Sequence, residues 1–245
     1  MLSELGSLLL GFSLFSMLFS GFGFFRGIRR SDQRWLKSGQ RALYAGTALL
    51  LVAILLLLAA LLLNQFQIEY VALHSSTSLP FYLKLSALWA GQEGSLLFWA
   101  FLQTLLAALI GRKAKIEEKP LMGWAAFILG IVSALFIALT LVFSNPFLTI
   151  SPVPVNGQGL NPLLRHPGMI FHPPVLYVGY VGLAVPFAFA LAALAVGKID
   201  EWPKAARRWL LISWLALGLG IILGARWAYD VLGWGGYWGD RKSVV

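Results

Sequence analysis

The sequence predicts an all-α, polytopic transmembrane helix bundle, and three observations predict it. Charged residues make up only 12% of the 245 positions and hydrophobic ones 59%, whereas a soluble domain is roughly a quarter charged. The mean hydropathy is +0.78. Six stretches lack charge altogether and approach or exceed the about 20 residues of helix needed to cross a hydrocarbon core of about 30 Å. There is no cysteine, which excludes disulfides, thiolate metal sites and a thiol nucleophile.

The first stretch is Leu5–Phe25. Glu4 precedes it, no Lys or Arg stands ahead of it and no small-residue cleavage site follows, so a retained helix is expected, not a signal peptide. Ala42–Leu63, Gly94–Gly111, Leu121–Phe143, Pro173–Gly197 and Trp209–Ala225 follow. The third and sixth are short, and flanking aromatics let them begin in the interface. Basic residues set the orientation. Arg26, Arg29, Arg30, Arg34, Lys37 and Arg41 follow the first run, Arg112, Lys113, Lys115 and Lys119 the third, and Lys198, Lys204, Arg207 and Arg208 the fifth. By the positive-inside rule these loops are cytoplasmic and the N-terminus is periplasmic. The net charge of +9 is therefore a topology signal, and nucleic-acid binding is not expected.

The chemistry is expected on the outer face. The segments 64–93 and 144–172 are long, rich in Pro, Asn, Ser and aromatics, and hold all three histidines. Connections of that length are uncommon unless functional or disordered, and Tyr70, Phe81, Trp89, Phe147 and Phe171 argue against disorder. His172 stands in GMIFHPPVLY, where Pro173 and Pro174 predict the first turn of a helix. Its imidazole is either a cap or carbonyl partner, or a ligand to a metal or to haem iron. His166 and His74 carry less positional constraint, and the three together form no zinc spacing.

Two further groups are dense in unusual residues. In WAGQEGSLLFW, residues 89–99, Glu93 opens a helix where the macrodipole favours a carboxylate, and Gly91 and Gly94 permit close packing. In RWAYDVLGWGGYWG, residues 226–239, five aromatics are interleaved with glycines. An interfacial belt explains the aromatics. A platform for a flat ligand explains both, with Arg226 a candidate partner for a carboxylate such as a propionate. No Walker loop, Rossmann fingerprint, nucleophile elbow or HExxH is present.

Four stretches together resemble the CcmF family, the haem-lyase subunit of bacterial cytochrome c maturation, and its relative NrfE of nitrite-reductase maturation. They are LSALWAGQEGSLLFWA (85–100), SNPF (144–147), GLNPLLRHPGMIFHPPVLYVGYVG (159–182) and WAYDVLGWGGYW (227–238). The resemblance runs from Met1 to Gly239 in the order and spacing of the family's N-terminal part. It implies a protein of the bacterial inner membrane that takes haem from a periplasmic haem chaperone, works with other maturation subunits, and joins haem to the CxxCH thiols of apocytochrome c. It implies that His172 is an axial ligand to the substrate haem. Trp227, Trp234, Gly235, Gly236, Tyr237 and Trp238 match the family's tryptophan-rich WWD segment, which contacts haem. The second axial histidine and the transmembrane histidines that hold a separate b-type haem match positions beyond Val245. His74 and His166 match no family ligand, and Gln92 stands where relatives often carry His.

The match to the family pattern stops at Gly239. Asp240 arrives too early to be the segment's aspartate, and DRKSVV is what common sequencing-adapter DNA encodes. Residues 240–245 are expected to be a non-native tail on an N-terminal fragment, which the codons would settle. The competing functional class is a membrane transporter or quinone-type respiratory subunit with an aromatic outer belt.

Overall fold

The computed structural model describes residues 1–115 and 120–232. These form nine α-helices: α1 (Leu2–Arg29), α2 (Gln33–Leu62), α3 (Glu69–His74), α4 (Phe81–Ser86), α5 (Gln92–Gly111), α6 (Pro120–Phe143), α7 (Gly168–Gly182), α8 (Ala184–Val196) and α9 (Trp202–Leu232). Among the described residues there is no strand, and Ile68 pairs with Thr149 in an isolated bridge. Six helical segments are long and apolar enough to cross a membrane, with α7 and α8 forming one of them.

The helices are longer than the charge-free runs that announce them. α1 continues to Arg29 and α2 begins at Gln33, so both reach into basic sequence. Arginine is a good helix former, and its stem can lie along apolar surface while its head stays in water. Arg26 also sits 5.0 Å from the Trp35 ring, which ties the α1 end to the start of α2. The fifth run is broken at Leu183 into α7 and α8. Pro186 supplies the reason: it lacks the N–H that the Gly182 carbonyl would accept in a continuous helix.

α1, α2, α5 and α6 pack against one another as the main bundle, and α8 lies on α6. Within the bundle, small residues let backbones meet. A Cβ on Gly23 would lie 2.8 Å from the Gly39 Cα. Ser20 Oγ donates to the Gly39 carbonyl and Ser13 Oγ to the Gly46 carbonyl, each at 2.9 Å. Such contacts hold helices together where lipid and side chains are equally apolar.

The segments expected to be outer loops fold into a cap built on α3, α4 and the 3-10 turn Ala87–Trp89. Tyr70 is its pin: the hydroxyl donates to the Ala87 carbonyl at 2.7 Å and accepts from the Gly91 N–H at 3.1 Å. Burial pushes the phenol well above its ordinary pKa, so it stays a neutral donor. His74 stacks on the Tyr70 ring at 4.3 Å, and its Nδ1–H donates to the Tyr70 carbonyl at 2.9 Å. This places His74 in the packing of the cap. Phe147 is fully buried beneath Gly6 of α1, which fastens the second outer segment to the bundle.

Candidate functional site at the α7–α9 interface

α7 packs chiefly on α9 and is held to α5 by aromatic side chains. Trp99 lies 5.7 Å from Tyr177, and Phe98 lies 5.8 Å from the same ring. On the other side, α7 and α9 meet almost backbone to backbone. A Cβ on Gly179 would fall 2.5 Å from the Leu217 nitrogen, and one on Gly220 would fall 2.8 Å from the Leu176 Cα.

His172 sits in this seam. It does not precede the helix, as the proline pair suggests: α7 starts at Gly168, so His172 is in its second turn and both prolines are inside it. The earlier start has a local cause. His166 Nδ1 accepts the Gly168 N–H at 3.0 Å, which satisfies one of the unpaired donors of the first turn. The His172 Nδ1 stands 2.7 Å from the Gly220 carbonyl. A carbonyl only accepts, so Nδ1 carries a proton, and it is Nε2 whose lone pair this tautomer presents. Gly224 makes room for the ring: a Cβ there would lie 2.5 Å from His172 Cε1 and 3.1 Å from Nε2. An imidazole oriented through Nδ1 with a bare Nε2 is the arrangement that metal-binding histidines use. Among the described residues no group of three or more His, Cys, Asp or Glu could hold a bare ion, so the site offers one imidazole rather than a cage.

The last turns of α9 close the same seam. Trp227 Nε1 donates to the Leu163 carbonyl at 3.3 Å, and its Cβ is 3.0 Å from where a Gly168 Cβ would stand. Arg226 Nε donates to Asp230 Oδ2 at 2.8 Å, while its guanidinium lies 5.8 Å from the Tyr229 ring centre. Asp230 also faces His166 Nε2 at 3.8 Å. His172, Arg226 and Trp227 are thus brought to one pair of helices. Trp234, Gly235, Gly236, Tyr237 and Trp238 lie outside the described residues, as does the tail 240–245.

Asp230 is legible in the sequence as the i+4 partner of Arg226. His166 acts on Gly168 two residues on, but its contact with Asp230 and the bond of Trp89 lie across the fold and leave no local signal. Trp89 Nε1 donates to the Met169 carbonyl at 2.7 Å, from one outer segment to the other.

Residues 89–245 match the family model described as Cytochrome C assembly protein. The chain is 45% identical over 178 residues to the cytochrome c-type biogenesis protein CcmF of Haemophilus influenzae, covering 72% of this chain and 28% of that one. It is 40% identical over 243 residues to CcmF of Pseudomonas aeruginosa, covering 97% of this chain and 36% of the relative. NrfE of Haemophilus influenzae is 45% identical over 177 residues, 72% of this chain and 28% of its own length. A solved structure titled Cytochrome c Heme Lyase CcmF superposes with a TM-score of 0.83 at 31% identity, over 98% of this chain and 38% of the other. The chain therefore spans only about a third of the length of these relatives. It belongs to the Cytochrome C assembly protein family, the family of the CcmF and NrfE biogenesis proteins.

Proposed function

We propose that the chain handles haem in cytochrome c maturation, at the periplasmic face of the bacterial inner membrane, and that His172 is an axial ligand to the haem being passed on. The observation that carries this is the imidazole itself: Nδ1 is committed to the Gly220 carbonyl, and the ring is seated where Gly224 lacks a side chain. Those residues fit a haem iron, which needs one lone pair per axial position from the protein and brings its other ligands in the macrocycle.

Trp227 ties α9 to the segment that leads into α7, and Trp234, Gly235, Gly236, Tyr237 and Trp238 are the residues proposed for the haem platform. Arg226 uses Nε for Asp230, which leaves its terminal nitrogens for a propionate; the side chain is 66% exposed. Haem supplies the vinyl groups, and the cysteine thiols of apocytochrome c add across them to give two thioethers. The residues of this chain hold and orient, which is catalysis by proximity. A haem chaperone as donor, apocytochrome c as acceptor, other maturation subunits and surrounding lipid are the partners this role requires. The lysine and arginine distribution supports a periplasmic N-terminus.

The test is a haem titration of the detergent-purified chain. A Soret band should form and should be lost in His172→Ala, with imidazole in solution restoring it in part. A band of unchanged position and intensity in His172→Ala would remove His172 as the ligand.

A further inference from the structure

We infer that Trp89 is a positioning residue for His172, because its indole N–H replaces the backbone donor that Pro173 cannot supply. In an α-helix the carbonyl of residue 169 accepts from the nitrogen of residue 173. Here that residue is proline, which has no N–H and whose ring crowds the carbonyl four residues back. Met169 is buried at 8% exposure, so water is a poor substitute. Trp89 Nε1 meets the Met169 carbonyl at 2.7 Å.

The indole is held from behind. Its own carbonyl accepts Ser95 Oγ at 3.1 Å, and the preceding carbonyls of Ala87 and Leu88 accept the buried Tyr70 hydroxyl at 2.7 and 3.1 Å. The Trp89 ring packs on Phe98 at 5.8 Å, and Phe98 packs on Tyr177 of α7 at the same distance. Trp89 therefore belongs to the rigid cap and reaches into α7 three residues before His172. Positions 169 and 172 are neighbours on one helix face. Tying the carbonyl at one fixes the direction in which the imidazole at the other approaches Gly220. The prolines open a gap in the helix ladder, and a side chain from another element fills it.

The readout in haem titrations rests on His172 being the ligand, whereas the geometry does not, so two measurements keep the questions apart. The first follows the His172 ring signals in the haem-free chain carrying isotope-labelled histidine, which report the Nδ1–H bond to Gly220 directly. The second is haem affinity. Trp89→Phe keeps an aromatic ring and removes the N–H. It should shift or broaden the His172 signals and weaken haem binding about fivefold, the factor expected for one lost hydrogen bond. Adding Pro173→Ala to Trp89→Phe restores a backbone donor to the Met169 carbonyl, and should return both measurements towards the parent. A tryptophan acting only as interfacial bulk would not respond to that second change. Unchanged His172 signals in Trp89→Phe, or a double variant as altered as Trp89→Phe, would overturn the inference. His172 signals that move and recover while haem affinity stays constant would uphold the positioning and count against His172 as the ligand.

Discussion

The α1–α2–α5–α6 bundle and the α7–α9 pair are both helix packings in an apolar chain, but different groups close them. In the bundle, serine hydroxyls cross from α1 to the α2 carbonyls and satisfy nothing else. In the pair, the crossing groups are an imidazole and an indole, His172 to Gly220 and Trp227 to Leu163. The four bundle spans are 39% to 50% buried and the span containing α7 is 50% buried, while α9 is 11% buried. The bundle uses its polar contacts to hold shape. The pair spends one nitrogen of each functional ring on orientation and leaves the rest of the ring available.

That contrast can be broken most sharply at its glycines. Gly39→Leu would drive a side chain into the α1 backbone, where even a Cβ would stand 2.9 Å from the Phe24 nitrogen. It should destabilise by at least the about 1–3 kcal/mol typical of overpacking and abolish a cooperative melt. Gly224→Leu meets the His172 ring instead. It should keep the helical circular dichroism of the parent and lose the Soret band; loss of both would mean that the pair is as structural as the bundle. Tyr70→Phe removes the cap's pin to Ala87 and Gly91. A cost of about 1 kcal/mol is expected in a thermal melt, together with a smaller version of the Trp89→Phe change at His172. Ser20→Ala should cost about 0.6 kcal/mol, the average for a hydrogen bond between membrane helices, with no effect on haem affinity. Asp230→Asn breaks an exposed ion pair with Arg226 and should cost only about 0.3–0.5 kcal/mol, vanishing in high salt. A large loss of haem affinity there would show that Asp230 sets the position of Arg226 and not merely its charge balance.

The sequence makes the six spans legible because lipid imposes a length and forbids charge, and both are local properties. It places their ends poorly, since helices such as α1 and α9 run on through basic residues that an apolar search stops at. The candidate site is legible as a motif, with His172 on α7 and Arg226 and Trp227 on the facing α9. Its construction is not. Pro173 and Pro174 are strong local signals for a helix start, and α7 nonetheless begins at Gly168. His166 holds the earlier start through the Gly168 N–H, the carbonyl that Pro173 leaves without a donor is met by Trp89, 80 positions away, and the seam of glycines has a purpose that appears only when the facing helix is in place.

The bond from His172 to Gly220 has a consequence for how this site can change over generations. Its acceptor is main chain, so a replaced side chain on α9 deletes it only by moving the backbone or the ring. The vulnerable points are therefore missing side chains: a Cβ at Gly220 would meet the Leu176 backbone, and one at Gly224 would meet the imidazole itself. Every substitution at Gly224 adds atoms where the imidazole stands, so selection on the orientation of His172 should be felt strongly at a residue that contributes no functional group at all.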